Sequence, residues 1–385
     1  MDPTIPEDFG YGEEPRLLRR EARRVLDAEC PLSAVRRQIE TGAPPDEALW
    51  SRAAAMGWLG LAVPEAYGGS DLSMVSLATL MEEMGRALFP APFLGTLFAT
   101  LLIRDVATPE QQARWLPAIA EGRLKAAVAA LEEEGGWDPA AVAATARRDG
   151  DRWLLSGAKP LVVDAPSADL LLGTFREPAG VSLFAFDPRA PGVYLSPDSL
   201  VDLTRRSAHV ALADVGVAEG ARLGAPGGAI AALDRALSRL LVALSAEMAG
   251  GADRLLQITV DYAKIREQFG RPIGAFQAVK HPLVDMMIDI ELTRSLVYRA
   301  AAALDHAPSR APHLARMAKA LASDTCANAA AKAVQLHGGI GFTWECDVHL
   351  FFRRAQWCKV AFGDAPHHRK RIAEMLLGPA TPSLP

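Results

Sequence analysis

The chain has 385 residues, half of them apolar, with 41 Lys and Arg against 46 Asp and Glu and a formal net charge of -5. That is enough apolar surface to bury a large core in two or three domains. The near-balanced charge argues against nucleic acid or an anionic membrane as the main partner, since both call for a clustered basic surface. The four cysteines, Cys30, Cys326, Cys346 and Cys358, show neither CxxC pairing nor a ligand spacing with His. No metal site and no disulfide framework is therefore expected. The start MDPTIPEDFG is acidic and lacks the apolar run of a signal peptide, and no stretch reads as a membrane span. A cytoplasmic location is the expectation.

Taken in chain order, apolar residues recur at helical spacing from about residue 12 to 120, as in Leu17, Leu18, Ala22, Val25, Leu26 and again in Leu77, Leu80, Met81, Met84. The Pro- and Gly-containing stretch at 62 to 73 reads as a loop inside this helical domain, placed at 1–120. Between 121 and 225 the pattern becomes short apolar runs (RWLLSG, ADLLLGTF, VSLFAF, HVALADV) separated by Gly, Pro and Asp. These predict a small antiparallel β domain. Helical periodicity returns in 226–385, where Ile230 to Ile265 contains no Pro and predicts one helix of roughly 50 Å.

Two segments carry chemistry. REQFGRPIGAFQ at 266 to 277 follows the long helix, and its Gly270 and Pro272 place Arg266 and Phe269 in the last turn and on the turn beyond it. An Arg fork suits a pyrophosphate and a neighbouring Phe covers a flat ring. The second segment, VQLHGGIGF at 334 to 342, sets Gln335 one turn before Gly338 and Gly339, where bare backbone admits another chain or a phosphate. Alone, an RxxF is a surface Arg with a core Phe, and an HGG is a helix stop.

Together, in this order and in a helix, strand, helix chain, the two segments resemble the acyl-CoA dehydrogenase family over nearly the whole length. The resemblance implies an N-terminal helical domain, a small antiparallel β domain and a C-terminal four-helix bundle. It also implies FAD and acyl-CoA, with dehydrogenation of the thioester at its α,β bond. By resemblance Arg266, Phe269, Gln277, Gln335, Gly338 and Gly339 reach across a subunit interface to the FAD held by a neighbouring subunit, so an oligomer is expected.

The chain also departs from the family. The reaction needs a carboxylate over the α-carbon, and aligning Arg353, Gly363 and Arg369 puts Phe362 at that Glu position. The alternative family position falls at or near Leu240, again without a carboxylate. Glu247 and Asp364 are the candidates for a displaced base, each with an ordinary reading as a packing contact or a cap. The family's T-E-P-G-x-G-S-D segment reads LEEEGGWD at 131 to 138, so Leu131 and Trp137 replace its hydroxyls. Its W-I-T strand reads Leu161, Val162 and Val163, and Glu132 to Glu134 add negative charge where a pyrophosphate approaches. The pattern is similar to the non-catalytic subunit of α2β2 acyl-CoA dehydrogenases, which act on bulky substrates such as steroid side-chain CoA thioesters. In that reading a homologous subunit carries the catalytic Glu and shares its FAD with this chain. The alternatives are a self-sufficient flavoenzyme using Glu247 or Asp364, and a flavin-free acyl-CoA-binding or structural protein.

Overall fold

A computed structural model describes residues 5–6, 8–133, 136–137 and 141–378. Six helices come first: α1 (Glu13–Glu29), α2 (Leu32–Thr41), α3 (Glu47–Ala55), α4 (Met74–Ala87), α5 (Phe93–Val106) and α6 (Pro109–Ala120). Local signals set several ends. Asp46 caps α3, Ser73 caps α4, and Thr108 with Gln111 forms a complete capping box on α6, each satisfying backbone N–H groups that a helix start leaves open.

The middle of the chain forms an eight-stranded sheet. Its strands are β1 (Ala126–Ala129), β2 (Thr145–Asp149), β3 (Arg152–Val163), β4 (Leu170–Glu177), β5 (Gly180–Phe186), β6 (Val193–Pro197), β7 (Ser207–Ala218) and β8 (Arg222–Leu223). The order is β6-β7-β3-β2-β4-β5-β8, with β1 beside β4. Most pairs are antiparallel, as the short alternating runs predict, but β1 runs parallel to β4 and β2 meets β4 in a parallel pair at Thr145 and Arg176. The sheet is therefore mixed rather than purely antiparallel: β1 arrives from α6 and lies along β4 instead of pairing with β2.

The C-terminal half is α7 (Ala229–Ile265), a hairpin of β9 (Glu267–Gln268) and β10 (Arg271–Pro272), then α8 (Gln277–His306), α9 (Ala311–His337), α10 (Val348–Val360) and α11 (Ala365–Leu377). Helix α7 is a single 37-residue helix, as its Pro-free periodicity predicts. It packs against α8, α9 and α10, and also against α4 of the N-terminal helices. The α4–α7 crossing depends on glycine: a Cβ on Gly85 would lie 1.9 Å from the Glu247 carbonyl oxygen, and one on Gly250 only 1.8 Å from that of Glu82. At the same crossing Glu82 accepts from Arg19 (2.6 Å), Arg294 (2.7 Å) and the Tyr298 hydroxyl (2.7 Å). Burial pushes the Glu82 carboxyl up, but the Arg19 and Arg294 guanidiniums outweigh it and hold the group below the usual carboxylate range.

No helix among the described residues is long and apolar enough to cross a membrane. All four cysteines are free thiols.

Candidate functional site

The residues singled out in the sequence fall into two places. The first is an outward-facing surface at the C-terminal ends of α7 and α9. Helix α7 stops at Ile265, so Arg266 lies just beyond the last turn in extended backbone rather than within it. Phe269 and Gly270 form the β9–β10 turn with φ of 54° and 75°, and Phe269 is 92% exposed. Arg266, Gln277, Gln335, Gly338 and Gly339 are also exposed, and the side chains of Arg266, Gln277 and Gln335 have no partner among the described residues. Gly338, with φ of 64°, donates its N–H to the Gln335 carbonyl and closes α9.

Sequence spacing does not show what joins these segments. Tyr262, one turn before Arg266, stacks on His337 at 4.3 Å between ring centroids, and its hydroxyl donates to the His337 carbonyl at 3.4 Å. That contact ties the α7 end to the α9 end, and so sets Arg266 and Gln335 in one frame. Ile265, Ile340 and Phe342 add exposed apolar area to the same two segments.

The second place is a cavity of about 590 Å³ between the sheet and α10. Leu131, Trp137, Leu161, Val163 and Phe362 all line it, so the three separate departures from the family pattern converge on one space. None of the six outward-facing residues lines it. Phe362 has left-handed backbone, φ 57°, between the end of α10 and Gly363. Its ring packs against Phe98 (5.8 Å) and Trp137 (5.2 Å). The turn that carries it is pinned from α9: Lys319, fully buried, donates from Nζ to the Gly363 carbonyl (2.9 Å), the Lys359 carbonyl (3.3 Å) and the Ser323 hydroxyl (2.9 Å). Burial pushes the Lys319 ammonium down to about 8. A lysine inside an Ala-rich helix gives no sign of this role in the sequence.

Neither displaced-base candidate is free. Glu247, 3% exposed, is held by both Arg205 and Arg354. Arg354 in turn reaches Asp202 (2.6 Å) and Thr204 (3.1 Å), and Arg205 lies over the Trp357 ring at 5.1 Å. This buried cluster clasps the 202–205 loop of the sheet to α7 and α10. Asp364 caps α11, accepting from the His367 N–H at 2.8 Å. Leu240 is buried in the helical core. The charge expected from 132 to 134 needs correction as well: Glu132 is buried and paired with Lys159, whose Nζ also donates to Thr174 at 3.0 Å. Its charge is thus neutralised inside the sheet, Glu133 stays exposed, and Glu134 lies outside the described residues.

This cavity does not suit a flavin ring. Of its polar side chains, Ser207 spends its hydroxyl on Asp198 at 2.6 Å, and Ser199, Gln356 and the donor-only indoles of Trp137 and Trp357 are the remaining neutral ones, while a flavin's heteroatom edge needs several donors and acceptors when it is buried. The outward surface does suit a group held by another chain: an unpartnered guanidinium, two amides and open glycine backbone.

Three helical and sheet layers in this order, with these two segments at the ends of α7 and α9, define an acyl-CoA dehydrogenase fold. The chain belongs to the acyl-CoA dehydrogenase family: residues 12–123 match its N-terminal domain and 228–377 its C-terminal domain. It is 36% identical to the acyl-CoA dehydrogenase IpdE2 of Mycobacterium tuberculosis (strain ATCC 25618 / H37Rv), over 89% of this chain and 91% of that protein. It is 34% identical to FadE12 of the same strain, over 81% of this chain and 83% of that protein. Among solved structures it is similar to the Tcur3481-Tcur3483 steroid ACAD, with a TM-score of 0.86 and 35% identity over 95% of this chain and 98% of that one.

Proposed function

We propose that this chain is the base-lacking subunit of a FAD-dependent acyl-CoA dehydrogenase assembly, and that it completes the flavin site of a homologous partner that carries the catalytic Glu. The observation that supports this reading is the separation of the two sites: Leu131, Trp137, Leu161, Val163 and Phe362, which depart from the family pattern, line one inward cavity, whereas the six family-like residues face outward. Exposure as high as that of Phe269 is intelligible for a ring that another chain covers.

In the assembly the flavin supplies hydride acceptance. Arg266 would pair with its pyrophosphate, Gln277 and Gln335 would donate amide N–H groups, the Gly338–Gly339 backbone would allow close approach, and Phe269 would exclude water from the ring. Among the described residues, neither family base position carries a carboxylate. A phenyl ring stands at position 362, and Glu247 and Asp364 are committed to an ion cluster and a helix cap. Loss of a base typically costs about 10² to 10⁴ in rate, so turnover would rest with the partner. The same reading assigns the domains as 1–120, 121–225 and 226–385, a cytoplasmic location, and a bulky or steroid acyl-CoA thioester as the assembly's substrate. The last point leans on the likeness to the Tcur3481-Tcur3483 steroid ACAD.

The test is flavin absorbance of the chain purified alone and after co-expression with a dehydrogenase-like gene product from the same genome. Colourless alone and yellow in the complex, at one FAD per pair of chains, is expected. A chain that is yellow by itself refutes the assignment.

A further inference from the structure

The cavity at these departed positions is lined mainly by apolar side chains, and three observations bear on what it holds. Its volume, about 590 Å³, lies in the range of small-molecule sites, and its walls include two indoles, Trp137 and Trp357, and the Phe362 ring. Its rim is apolar where a surface would ordinarily be polar: Leu161, Val201 and Val360 are 48%, 49% and 56% exposed. Three such residues around one opening mark a contact surface rather than scattered chance exposure.

Backbone strain points the same way. Leu161 and Phe362 both adopt left-handed φ, 50° and 57°, a conformation that is strained for bulky residues and that clusters at functional sites. At Leu161 the β3–β7 pairing slips register between Lys159 and Val162, so the alternation of the strand is broken where Leu161 joins the cavity wall. Both strained positions present apolar side chains to the same space.

Shape and charge narrow the occupant. Behind Phe362, between α5 and the sheet, an inner void of only about 20 Å³ remains. Phe98, Phe362 and Trp137 close it, and no extended chain can run inward from the cavity. The occupant must be short and broad. Of the two carboxylates among the described lining residues, Glu132 is spent on Lys159, which leaves Glu133, exposed and 3.7 Å from the His209 ring. An anionic group would meet repulsion there and find no Lys or Arg among the described lining residues. From these observations we infer that the cavity binds an uncharged, ring-bearing hydrocarbon group, in place of the flavin that its walls no longer suit. The inference concerns this chain's own cavity and stands whether or not the outward surface serves a partner.

The experiment is a fluorescence titration of the full-length chain, and of any complex it forms, with the neutral three-ring probe N-phenyl-1-naphthylamine. Saturable binding at a single site per chain is expected, displaced by cyclododecanone but poorly by n-decanol. Leu161→Asn, which suits left-handed backbone, and Val360→Lys at an exposed helix end should each weaken it by about tenfold, roughly the loss of one leucine's apolar contact, with far-UV circular dichroism unchanged. The anionic 8-anilinonaphthalene-1-sulfonate should bind more weakly than the neutral probe. Four outcomes would each overturn the inference: no saturable binding, equal displacement by n-decanol, loss of binding in Phe342→Ser but not in the cavity variants, or competition by FAD bound to the lone chain.

Discussion

Replacing Glu247 by Gln separates a structural carboxylate from a catalytic one. The wild-type side chain is the acidic partner of Arg205 and shares Arg354 with Asp202. Glutamine fills the same volume but carries no charge, so Arg205 keeps the Trp357 ring and the more distant buried Asp164 carboxylate, and Arg354 keeps Asp202. Breaking a buried pair by neutralising one member costs about 3 to 5 kcal/mol, because the remaining charge stays desolvated. With Arg354 retaining an anion, the lower end, about 3 kcal/mol, is expected. Urea unfolding of wild type and variant, followed by circular dichroism, measures it as a fall in midpoint. Pairing the change with Arg205→Met should recover much of the loss, since a buried ion pair replaced by apolar groups is often neutral. If Glu247→Gln shifted stability by less than about 1 kcal/mol while abolishing turnover of the assembled enzyme, the clasp reading would be wrong and Glu247 would be a base after all.

Three further outcomes follow from the geometry. Arg266→Ala, at an exposed position, should release FAD from the assembled complex without lowering the thermal midpoint of this chain; unchanged flavin retention, read at 450 nm after gel filtration, contradicts the cross-interface role. Glu82, held below its ordinary range, contributes stability above the unfolded value of about 4.5 that fades as pH falls through the lower folded value. The stability gap between wild type and Glu82→Gln should therefore narrow below about pH 4.5, and a gap constant from pH 7 to 3 argues against the Arg19 and Arg294 pairing. Lys319 runs the other way: pushed down to about 8, it binds fewer protons folded than unfolded between about pH 8 and 10.5, so its contribution becomes more favourable as pH rises through that window. Wild type should gain stability from pH 8 to 10 relative to Lys319→Met, measured by urea midpoints at each pH, and parallel pH profiles would sink that account.

The fold was legible because its signals are local. A Pro-free apolar periodicity between Ile230 and Ile265 leaves little but one long helix, and runs such as VSLFAF between Gly and Asp leave little but strands. What stayed hidden depends on contacts between distant residues. The parallel β1–β4 pair cannot be read from either strand alone. Glu132 in an acidic triplet gives no hint of Lys159 behind it, and that partner reverses the expected local charge. The Tyr262–His337 stack joins residues 75 positions apart. Likewise Leu131, Leu161 and Phe362 come from three unrelated segments, and only the folded chain places them around one cavity.

Helix α7 carries both halves of this arrangement. Glu247, in the clasp beside the cavity, and Arg266, at the outward surface, stand 19 residues apart along one uninterrupted rod and the residue that ends it, which at about 1.5 Å per residue is about 28 Å. The helix acts as a fixed ruler: disturbing the cavity repacks its middle without changing its length, so the interface end keeps its spacing. Inward and outward sites can therefore drift at different rates in evolution, and a subunit can lose one while continuing to present the other.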